Sequence, residues 1–171
     1  NIVTDIIKID GILILFVIFG AELAKNTIGA DKISKRIEIL LANGLSIGKI
    51  LVNYLLSIYL GTLIIVLPSL ILNIFKLGII PGVLLNFLLT SLLYTTIIVL
   101  LILHTTNMNK INSIQIRLIG LSIGVMIISL VVYKLTNMIE LYLISKILIL
   151  SLIIVFLYKK TNKERIVVSY Y

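Results

Sequence analysis

The chain has 171 residues, 60% of them hydrophobic and 13% charged, with a net charge of +8 and a mean hydropathy of +1.23. A soluble domain of this length cannot hide so much apolar surface, so lipid is the expected solvent. With no cysteine, disulfides and thiolate metal sites are excluded, and one histidine with seven carboxylates leaves little for catalysis; the reading is of a non-enzyme that binds no metal or cofactor of its own. In such a chain the excess positive charge points to residues retained on the cytoplasmic side of a membrane rather than to nucleic acid.

In chain order, the mixed stretch Asn1–Asp10 leads into a first span over 8–25, with Glu22 near its end. A signal peptide is the lesser reading of Lys8 before an apolar run, because no convincing cleavage site follows. Lys25–Lys49 is the one long polar interruption, and it holds five of the fifteen Lys and Arg residues. Within it the pattern predicts a short amphipathic helix over 31–42. Asp31 is placed to cap the N-terminus, and Ile33, Ile37, Leu40 and Leu41 recur on one side. Lys32, Lys35 and Arg36 fall on other faces, Asn43-Gly44 is a stop, and Ser46 can cap the next helix. Further spans are expected over 50–75, 81–104, 114–133 and 139–158, with a kink at Pro68. All are helical, because a bilayer core leaves an open-ended backbone no other way to satisfy its amides. The fold class is therefore an all-α polytopic bundle forming a single transmembrane domain over 1–171.

Orientation follows from basic residues. Lys25–Lys49, His104–Arg117 and the tail from Lys159 together hold eleven, whereas Lys8, Lys76 and Lys134 are the three on the other side. The polar segment, the 104–113 loop and the C-terminus are thus expected in the cytoplasm of a cell in whose plasma membrane the chain sits. Five spans then leave Asn1 outside, an arrangement that fits an additional upstream span and six in the natural chain. Phe75, Tyr133, Tyr142 and Tyr158 fall near span ends, as interfacial aromatics do.

Chemical motifs are few. Gly44–Lys49 has one residue too few between its glycines for a phosphate-binding loop and no preceding strand. His104 reads as an interfacial polar residue. Asn53, Ser57 and Gly61 on the second span, and Asn86, Thr90 and Tyr94 on the third, recur every four residues; they are either a candidate substrate path or, more often for such stripes, interhelical hydrogen bonds. Gly120 and Gly124 form a small-xxx-small pattern, read first as internal helix packing and second as a subunit interface. Glu22 is either functional, as intramembrane charges default to, or paired with Lys25 one turn on. Lys146 is expected to snorkel outward past Tyr142.

An acidic span end, a polar link and then Lys35-Arg36-Ile37-Glu38-Ile39-Leu40-Leu41-Ala42-Asn43-Gly44-Leu45-Ser46 resembles the permease subunits of type-2 ABC exporters. Glu22 matches the acid of that pattern, Ile37-Glu38 its hydrophobic-Glu pair, Leu40-Leu41-Ala42 its Leu-Leu-Ala, and Leu45-Ser46 its end. Gly44 stands where the family often has Pro, and Lys35-Arg36 where it often has Gly-Thr. The resemblance implies that the segment is a coupling helix, with Asp31, Lys35, Arg36, Glu38, Leu40, Leu41 and Ser46 at the contact with an ABC ATP-binding subunit. It also implies six spans, a second permease subunit (identical or different), and ATP with Mg held by the partner subunit. The short link after the fourth expected span fits the smaller permeases of peptide-export, immunity or haem-exporter type. The competing reading is a non-transporting subunit that scaffolds a larger membrane complex.

Overall fold

The computed structural model describes residues 2–77, 81–105, 110–161 and 166. Residues 78–80 between the second and third expected spans, residues 106–109 within the expected loop, Asn1 and most of the tail beyond Thr161 lie outside the described residues. Every described element is helical: α1 (Ile2–Ala24), a π-helical turn (Lys25–Gly29), α2 (Ala30–Ile33), α3 (Arg36–Ala42), α4 (Ile47–Leu77), α5 (Pro81–His104), α6 (Ile111–Thr136) and α7 (Ile139–Lys159).

Helices α4, α5, α6 and α7 are each long and apolar enough to cross a membrane. The first expected span is not among these four. α1 has the length, at 23 residues, but carries Asp5, Lys8, Asp10 and Glu22. α1 packs on α4, α5 and α6, and its residues Leu13, Phe16, Val17 and Ala21 are buried at helical spacing. The Phe16 ring meets Tyr59 of α4 at 6.0 Å and Phe87 of α5 edge-on at 6.3 Å. One turn on, Gly20 lets three helices close in: a Cβ there would lie 3.3 Å from Ile98 of α5 and 3.4 Å from the Thr62 hydroxyl of α4. α5 is the other central helix, buried along most of its length, whereas α4, α6 and α7 present broad apolar faces outward.

Helix ends follow local chemistry. Pro81 opens α5, where its missing amide hydrogen costs nothing. α4 is continuous through Pro68. α6 ends on Asn137 in the left-handed conformation (φ 55°), which Asn tolerates, and only Asn137 and Met138 separate it from α7. So short a link makes α6 and α7 antiparallel neighbours.

The polar segment departs from the expected single helix over 31–42. Helical structure continues unbroken from α1 through the π-turn into α2, so Asp31 lies inside a helix and caps nothing. The break comes at Lys35, held left-handed at φ 59°. The predicted stop is where expected. Gly44 (φ 83°) donates its amide to Leu41 O and Leu45 donates to Leu40 O, which is the paired pattern of a glycine-ended helix. The Ser46 hydroxyl accepts from the Lys49 amide at 3.4 Å and so caps α4, also as expected.

Candidate functional site

Two clusters of polar side chains stand out, one at the polar end of the bundle and one inside it. The first is built on two adjacent residues of α2. Asp31 accepts a hydrogen bond from the Tyr54 hydroxyl of α4 at 2.7 Å and a longer contact from Arg36 at 3.5 Å. Lys32 is buried; its ammonium donates to Leu103 O at 2.7 Å and Thr105 O at 2.6 Å, at the C-terminal end of α5. A cation at that position satisfies carbonyls that the helix leaves open and sits at the negative end of its dipole. Burial pushes the Lys32 ammonium down to about 8. The dipeptide thus ties α2 to α4 through one residue and to α5 through the next.

These anchors fix which face looks outward. Ile37 is buried and Leu41 packs on the core from a half-buried position, while Ile33 is 69% and Ile39 57% exposed and Lys35 and Arg36 are exposed. The expected face is therefore split: Ile33 is not on the buried side, and Lys32 is not on the outer one. Glu38 and Leu40 are half-buried and Ser46 is exposed. Glu22 pairs with Lys25 at 3.4 Å, the structural alternative weighed above.

The second cluster lies among α1, α5, α6 and α7. Asp10 of α1 and Lys146 of α7 form an ion pair at 2.5 Å, both almost wholly buried. The Tyr142 hydroxyl donates to the other Asp10 oxygen, and the Lys146 ammonium lies 4.1 Å from the Tyr142 ring centre. A small cavity, about 10 Å³ and so near the size of one water, is lined by Asp10, Tyr94, Ser122, Lys146 and apolar neighbours. Lys146 therefore does not snorkel to the boundary, and Tyr142 is not an interfacial aromatic. Each is drawn inward because a carboxylate in an apolar interior is costly unless paired and hydrogen-bonded.

The remaining expected residues separate. On α5, Asn86 donates to Leu143 O of α7 at 3.2 Å, the Thr90 hydroxyl donates to Asn86 O, and Tyr94 is buried against the second cluster, so this stripe is spent in packing. On α4, Asn53 and Ser57 are exposed and face away from the bundle, although Gly61 turns inward, where a Cβ would lie 3.4 Å from Leu23. A four-residue step advances about 40° around the helix, so the stripe rotates off the face within two steps. The structure does not bring the two stripes together. Nor do Gly120 and Gly124 pack internally: nothing lies within 4 Å of a Cβ at either position, and Gly120 is exposed. The reading of internal packing there is corrected, because α6 turns that face outward.

Sequence reasoning missed Asp10, Lys32, Tyr54 and Tyr142 as site residues. A usable signal existed for the first. Asp10 lies fourteen residues before the end of α1 at Ala24, and Lys146 thirteen before the end of α7 at Lys159. Two opposite charges therefore stand at matching depth, about 20 Å from one end of the bundle. No protein-family model, curated protein or solved structure matches the chain.

Proposed function

We propose that the chain is the transmembrane permease subunit of an ATP-driven ABC exporter, with ATP hydrolysed by a separate subunit and a peptide, drug, lipid-like or haem-like substrate moved outward. The observation that carries this reading is the double anchorage of Asp31 and Lys32 beside the exposed Ile33, Lys35, Arg36 and Ile39. A surface element tied to two different long helices, with its free face turned away from them, is suited to receive a push from a docked subunit and pass it on. Closure of two ATP-binding subunits would move the segment and, through Tyr54 and the end of α5, tilt α4 and α5 as a rigid-body switch.

On this reading α1 is a fifth span, held in the membrane by its partners, and the polar segment and C-terminus face the cytoplasm in accord with the basic asymmetry. The outward Asn53 and Ser57 of α4 would meet a second permease subunit and line a substrate path between the two. The alternative, a non-transporting subunit that scaffolds a larger complex, draws on one observation: the α5 stripe is consumed by packing within the chain. Purification of the full chain from its native membrane in mild detergent separates the two. Stoichiometric retention of a subunit with Walker motifs and ATPase activity supports the permease; retention of a redox or assembly complex without one supports the scaffold.

A further inference from the structure

We propose that the outer face formed by α6 and α7 binds an anionic phospholipid at the end where Arg117, Lys159 and Lys160 lie. Arg117 is nineteen residues before the end of α6 at Thr136, and Lys159 is twenty after the start of α7 at Ile139. The two helices are antiparallel neighbours joined by Asn137 and Met138, so the two cations stand level, each about 30 Å from the link. That is the thickness of a bilayer's hydrocarbon core, which puts them at the depth of the phosphate groups.

All three side chains are exposed, and none pairs with a carboxylate among the described residues; Lys160 lies 4.0 Å from the ring centre of Phe156. No Asp or Glu occurs anywhere between Glu38 and Glu140, so α6 brings no negative charge of its own. Inward from the cations the surface turns apolar: Leu148, Leu152 and Phe156 descend α7 at four-residue spacing, exposed, and Ile123 and Ile127 are exposed on α6. One turn inward of Arg117, Gly120 leaves that face open. A cationic rim above an exposed apolar strip matches a lipid with an anionic headgroup and its acyl chains. The inference does not depend on the permease reading.

The test is native mass spectrometry of the full chain in neutral detergent, titrated with phosphatidylglycerol and with phosphatidylcholine of the same acyl chains. The expected result is a marked preference for phosphatidylglycerol, weakened about fivefold for each cation removed in Arg117→Gln, Lys159→Gln and Lys160→Gln. Lys134→Gln, at the opposite end of α6, leaves the preference unchanged. Far-UV circular dichroism confirms that these surface variants keep their helix content. An undiminished preference in the triple variant overturns the proposal, as does displacement of the lipid by millimolar glycerol phosphate, which would mark a site for free phosphate instead.

Discussion

Removing one partner of the Asp10–Lys146 pair leaves a charge buried with nothing to neutralise it. Lys146→Met strands the Asp10 carboxylate with the Tyr142 hydroxyl as its remaining partner; Asp10→Leu strands the ammonium over the Tyr142 ring. Breaking a buried pair from one side costs about 3–5 kcal/mol, whereas replacing both members with apolar side chains of similar volume is close to neutral. The double variant Asp10→Leu/Lys146→Met is therefore expected to cost only the about 1–3 kcal/mol of the Tyr142 hydroxyl it leaves unpaired, with a coupling of several kcal/mol between the two sites. Tyr142→Phe removes a hydrogen bond to a charged group and is expected to cost about 1.5–3 kcal/mol. The assay is reversible unfolding of the purified chain from mild detergent into SDS, followed by circular dichroism. If each single change costs less than about 1 kcal/mol, or the double variant shows the plain sum, the pair does not hold α1 in place.

The other predictions are local. The Lys32 ammonium is lowered to about 8 in the folded chain, so between pH 8 and its ordinary value near 10.5 the unfolded state binds more protons, and stability rises with pH. Wild type should gain stability relative to Lys32→Gln across that window and not below it; parallel curves would refute the burial argument. Gly20→Leu forces a side chain into the contact with Ile98 and Thr62 and should cost about 1–3 kcal/mol in the same SDS assay, whereas Gly11→Ala, with open space around it, should cost less than 1. Gly44→Val puts a branched residue at φ 83° and should cost about 1–2 kcal/mol, read as earlier loss of helix signal on heating. In intact cells, a membrane-impermeant thiol reagent should label a cysteine at Asn137 and spare one at Asn43; the reverse pattern overturns the proposed orientation.

The long helices were legible because hydropathy is additive along a chain. The expected spans at 50–75, 81–104, 114–133 and 139–158 fall inside α4, α5, α6 and α7, with ends displaced by a few residues at most. The stop at Asn43-Gly44 and the Ser46 cap were legible because each depends on neighbours within one turn. The polar clusters were not, because their partners are far apart in sequence: 136 residues separate Lys146 from Asp10, and Lys32 donates to carbonyls 71 and 73 residues away. A helical wheel drawn for 31–42 alone turns Lys32 outward; only the end of α5, which needs its carbonyls satisfied, turns it in. The wheel likewise assumed one continuous helix, and the left-handed Lys35 rotates α3 relative to α2 so that Ile33 and Ile37 part company.

That rotation also fixes where the central claim is best tested. On the permease reading, the exposed Ile33, Lys35, Arg36 and Ile39 are the residues that would meet an ATP-binding subunit, while Leu41 leans on the core. The measurement is substrate-stimulated ATP hydrolysis, together with subunit retention, in a complex of the full chain and the ATP-binding subunit proposed for it. Ile39→Asp and Arg36→Glu are expected to release the subunit or abolish stimulation while the chain stays folded and inserted, with Glu38→Ala producing a smaller loss. Unchanged retention and unchanged stimulation in both Ile39→Asp and Arg36→Glu would contradict the account, because the exposed face of α3 would then couple to nothing.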